Sequence, residues 1–138
     1  MTNQEINDAI TRLRTLDPST AAKEIYTYAS RLLPIATTHA TPANLAALWI
    51  IALGLYDAAV HRSDSDTGVV AFLAAIEASY AWLNNGSPHS VALEPAVQYP
   101  EDLQNYLRAL SQLPSAIVLS GIEKARDAVH DLLVPYPL

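Results

Sequence analysis

TPANLAALWIIALGLYDAAVHR, residues Thr41 to Arg62, decides how this chain folds. Between Ala43 and Val60 its only strongly polar side chains are Asn44 and Asp57. An apolar run of this length reaches the lower limit for crossing a membrane. Asn44, Asp57, the frequent alanines and a second apolar stretch close behind favour a buried core helix instead. Thr41-Pro42 is a helix start, a hydroxyl N-cap followed by the residue that loses nothing at the first helical position. On a helical wheel Leu45, Leu48, Trp49, Ala52, Leu55, Tyr56 and Ala59 share one side. The other side carries Asn44, Ala47, Ile50, Ile51, Gly54, Asp57, Ala58 and His61, and most of these are small. Glycine inside a helix costs about 1 kcal/mol against alanine, so Gly54 and Ala58 are expected to repay it by touching the backbone of a neighbouring helix. A helix apolar on nearly all sides belongs at the centre of a bundle or in an oligomer interface.

The next six residues, SDSDTG, read as a turn, with Asp64 or Asp66 as the N-cap of a following helix. That helix, VVAFLAAIEASYAWLNN, carries Glu77 as its one charge and stops at Asn84, Asn85 and Gly86. So short a turn predicts an antiparallel hairpin, about 42–62 against 67–85, as the hydrophobic heart of the molecule.

Working outward, the N-terminal segment predicts a helix from about Asn3 to Leu16. Thr2 and Glu5 form a capping box, and Ile6, Ala9, Ile10, Leu13 and Leu16 make one apolar face. Asp17-Pro18 starts a second helix that runs to about Leu33, ends at Pro34, and turns Ile25, Ala29, Leu32 and Leu33 inward. Tyr26 and Tyr28 lie about 200° apart round it, so at least one of them belongs at the surface or an interface. Residues 87–100 contain three prolines and no helical period, and read as a crossover loop anchored by Val91, Leu93 and Val97. A helix starting near Pro100, with Leu103, Tyr106, Leu107 and Leu110 as its stripe, should end before Pro114. The last helix is expected from about Ser115 to Leu133, burying Ile117, Val118, Gly121, Ile122, Ala125, Val129 and Leu132. An extended tail over 134–138 follows, since Pro135 and Pro137 forbid helix. The fold class is therefore all-α, a single-domain bundle of about six helices around the hairpin.

Composition bounds the function. Apolar residues make up 51% of the 138 and charged residues only 16%, against about 25% in ordinary domains. A surface so short of charge needs neutral polar residues or another subunit to cover it. The net charge of −6 comes from the second half of the chain, which argues against a nucleic-acid surface. The N-terminus lacks a basic segment followed by an apolar one, so a cytoplasmic location is the default expectation. With no cysteine, disulfides and thiolate metal sites are excluded.

The candidate site groups Trp49, Tyr56, Asp57, His61, Glu77 and Tyr80. Asp57 and His61, four apart, share a helix face and suit two metal ligands or a carboxylate orienting an imidazole. In the predicted hairpin, however, Asp57 falls opposite about residues 71–73, leaving Glu77 roughly 6 to 9 Å out of register. No glutamate lies three residues before any histidine, as carboxylate-bridged metal bundles require. His61 is therefore better read as an ion-pair or dipole partner at the end of its helix. Nothing resembles a nucleophile elbow or a phosphate loop, and no cofactor is implied. Trp49, Tyr56, Tyr80 and Trp82 could line a cavity but at this spacing suit core or interface. The expected function is a non-enzymatic interaction or assembly protein that associates with itself or another protein subunit through its apolar helices. The alternative is a binder of a small apolar molecule near Tyr56, Glu77 and Tyr80, and an enzyme using Asp57, His61 and Glu77 comes third.

Overall fold

A computed structural model of the chain describes residues 1–61, 68–84 and 101–133. Within them lie α1 (Asn3–Leu13), α2 (Pro18–Leu32), α3 (Ile35–Thr38), α4 (Pro42–His61), α5 (Gly68–Asn84), α6 (Glu101–Gln112), α7 (Ser115–Ala128) and α8 (His130–Leu133). The protein is an all-α bundle. Its six longer helices are those expected, and α3 and α8 are single turns.

Local capping explains the starts of α1, α2 and α4. Thr2 Oγ1 accepts from the Glu5 N–H at 3.2 Å, and Asp17 accepts from the Thr20 N–H at 3.1 Å with Pro18 at the first position of α2. Thr41 Oγ1 accepts from the Asn44 N–H at 3.2 Å and opens α4. One end differs from expectation, because α1 stops at Leu13 rather than Leu16. There the Thr15 hydroxyl and amide both donate to the Arg12 carbonyl, a local bond that competes with another helical turn. Farther along, Pro34 pushes Leu33 out of helical geometry and ends α2. The final predicted helix is broken at Val129, with no proline or glycine to announce the break.

α4 occupies the middle, and α1, α2, α3, α5, α6 and α7 all pack on it. From Ala46 to Ala59 every side chain is buried except the half-buried Trp49, Tyr56 and Asp57. Among the described residues one helix, Pro42–Val60, is long and apolar enough to cross a membrane, and 67% of its span is buried inside the fold. Among the described residues the one buried polar side chain, Asn44, donates from Nδ2 to the His39 carbonyl at 2.7 Å and so ties α4 to the end of α3.

The hairpin partner α5 lies against α4, but α7 packs on α4 more extensively still. Gly121 of α7 is the reason. A β-carbon there would sit 2.6 Å from Ala46 Cβ, 3.0 Å from the Ala47 nitrogen and 3.1 Å from the Ala43 oxygen. The close backbone approach expected at Gly54 is therefore made by Gly121 instead, onto the N-terminal half of α4. Gly54 faces side chains, with Phe72 and Ile76 at 3.4 to 3.5 Å from where its β-carbon would be. The same contact sets the register of the hairpin, because Gly54 lies level with the midpoint of Phe72 and Ile76.

The first turn of α5 draws its cap from outside the hairpin. Asn7 of α1 accepts from the Val69 N–H at 3.1 Å through Oδ1. The expected caps Asp64 and Asp66, the 87–100 crossover and the 134–138 tail lie outside the described residues.

Candidate functional site

Trp49 and Tyr56 lie seven residues apart on α4, so they share a face about 10 Å apart along the axis. The helix places Asp57 next to Tyr56. On the same hairpin, Gly54 level with residue 74 puts Asp57 level with about residue 71, six residues or roughly 9 Å short of Glu77. Trp49, Tyr56 and Asp57 are each half-buried. The side chains of His61, Glu77 and Tyr80 lie outside the described part.

Burial raises the Tyr56 hydroxyl above its ordinary pKa, and the nearby negative charge of Asp57 pushes it further in the same direction. The phenol therefore stays protonated well past neutrality. The C-terminal end of α4, where a dipole role was expected of His61, is engaged by α1. Arg14 donates from Nε to the Ala59 carbonyl at 3.0 Å and from Nη2 to the Ala58 carbonyl at 3.3 Å. A cation there donates to carbonyls of the last turn and complements the negative end of the helix.

Trp49 leads away from the rest of the predicted group. Its ring stacks on Tyr106 of α6, with centroids 6.1 Å apart and planes 7° from parallel. Tyr106 in turn meets Tyr26 of α2 at 5.7 Å and 35°. Near-parallel rings at this separation are offset, an arrangement aromatic pairs favour over a direct sandwich. Three helices thus contribute to one tier of rings that begins half-buried at Trp49 and Tyr106 and ends at the surface on Tyr26, which is 37% exposed.

The Tyr26–Tyr28 geometry placed one tyrosine at the surface, and Tyr26 is that residue. By periodicity Tyr106 belongs only to a buried stripe, and its pairing with Tyr26 joins residues too distant in sequence for any local pattern to reveal. Tyr28 is half-buried in a separate surface network. Its hydroxyl lies 3.4 Å from Glu24, whose carboxylate is paired with Arg12 at 2.7 Å, and the Arg31 guanidinium sits 5.7 Å from its ring centre. The hydrogen bond from Arg12 holds the Glu24 carboxyl below its ordinary pKa.

Comparisons with protein-family models, with curated proteins and with solved structures find no match to this chain.

Proposed function

We propose that this protein is a non-enzymatic helical assembly module that associates with a second copy of itself. The observation that carries the reading is the surface tier Tyr26–Tyr106–Trp49. Rigid aromatic side chains supply large contact area for little lost rotamer freedom, and they are the residues around which interfaces concentrate their energy. A low-charge chain adds to this, because two copies can approach such a surface with little charge to desolvate. The burial of α4 changes where the contact is made. From Ala46 to Ala59 its side chains are buried apart from the half-buried Trp49, Tyr56 and Asp57, so on this face association uses the rings at its edge.

Size-exclusion chromatography with light scattering tests the proposal. A dimer or larger species at micromolar concentration, reduced to monomer by Tyr26→Glu, is the expected result. A clean monomer for the unaltered chain would contradict it. A second reading, a binder of a small apolar molecule beside Tyr56, draws on the partial withdrawal of that phenol from water. Native mass spectrometry of the purified protein distinguishes the two, since a retained ligand of constant mass supports the second reading and a doubled chain mass supports the first.

A further inference from the structure

α1 reaches both helices of the hairpin at the end where α4 stops and α5 begins. Asn7 accepts from the Val69 N–H in the first turn of α5, and Arg14 donates to the Ala58 and Ala59 carbonyls in the last turns of α4. The chemistry at each end is matched to what a helix terminus lacks. The start of a helix has unpaired N–H groups and takes an acceptor, while its finish has unpaired carbonyls and takes a cationic donor. Asn7 lies within α1 and Arg14 is its C-cap residue, still in right-handed helical geometry, so the two share one side about 10 Å apart along the axis. That is close to the 8–10 Å between the axes of neighbouring packed helices. Glycine at 68 completes the fit, for a β-carbon there would lie 2.6 Å from Asn7 Oδ1. Between the two polar contacts Ile6, Ile10 and Leu13 are buried, with the Ile10 side chain 3.4 Å from the same point on Gly68.

We infer that α1 is a clasp: through Asn7 and Arg14 one helix closes the turn end of the α4–α5 hairpin, so that docking of α1 and order at both helix ends form a single equilibrium. Loss of either contact loosens the other, because the same rigid helix carries both. The opposite half of α4, packed on Gly121, is outside this unit and keeps its order when the clasp opens. The inference is independent of the proposed self-association, since every contact in it lies within one chain.

Hydrogen exchange followed by mass spectrometry on the full chain tests it, with Asn7→Ala, Arg14→Met and their double variant. Each single change is expected to raise exchange roughly fivefold or more, the equivalent of one lost hydrogen bond, over residues 56–61, 68–71 and α1 together. The double variant should loosen the same segments further, the two effects roughly multiplying in each, because free-energy losses in one equilibrium add. Asn7→Asp, which keeps the acceptor, should retain the original protection. The inference is overturned if each substitution loosens only the helix end it touches, or if exchange rises equally around Ala46 and Ala47.

Discussion

Gly54 and Gly121 are both buried glycines inside helices at the core, yet they do opposite things. Gly121 is a true close-approach glycine, with the α4 backbone within about 3 Å of any added β-carbon. Gly54 leaves ordinary van der Waals room against Phe72 and Ile76. The difference shows that α4 is held by two kinds of packing. Toward its N-terminal half, helix backbones come together around small residues. Toward its C-terminal half, large side chains from α5 fill the space, and polar caps from α1 close the end.

The largest effect is expected from Phe72→Ala. Phe72 is fully buried against Gly54, and its loss should destabilise by about 3–5 kcal/mol in urea denaturation. A small loss would mean that side chains do not fill the Gly54 side after all. Gly121→Ala comes next, at about 1–3 kcal/mol of destabilisation despite the better helix propensity of alanine, because Ala43 and Ala47 present backbone that cannot swing aside. Gly54→Ala should run the other way. Its new methyl meets side chains at contact distance, so up to about 1 kcal/mol of helix propensity is gained and the melting temperature rises.

The smallest effect concerns acid, and it separates the exposed caps from the packed core. Asp17 is held below its ordinary pKa by the hydrogen bonds from the Thr20 amide and hydroxyl, and Glu24 by the hydrogen bond from Arg12. For a depressed carboxyl the stabilisation is fully present above the unfolded-state pKa and is lost as pH falls through the folded one. Melting temperature should therefore decline modestly below the ordinary carboxylate range, and Asp17→Asn should flatten that decline. An unchanged acid profile in Asp17→Asn would remove Asp17 from the explanation.

What could be read from the sequence is explained by the same contrast. Thr2, Asp17-Pro18 and Thr41-Pro42 act within three residues of themselves, so the starts of α1, α2 and α4 were legible. Amphipathic faces were legible too, as the burial of Ile6, Ile10, Ile25 and Leu103 illustrates. The orientation of α4 was not. A helix apolar all round carries no periodic signal to say which face meets which neighbour, and the close approach was assigned to the glycine on α4 when the partner helix supplies it. Arg14 and Asn7 escaped for a related reason. Their acceptor and donor lie 45 and 62 residues away, and nothing local distinguishes them from solvated side chains. Of the candidate site, Trp49 stacks not on its predicted companions but on Tyr106, which meets Tyr26, and those two rings come from two other helices.

The seam between α4 and α7 can be observed without any mutation, by nuclear Overhauser contacts in a labelled sample. The structure predicts cross-peaks from the Gly121 α-protons to the Ala46 methyl group and the Ala47 amide proton, and from the Gly54 α-protons to the Phe72 ring. Gly121 α-protons with only sequential contacts, or Gly54 α-protons in contact with the backbone of another helix, would contradict it.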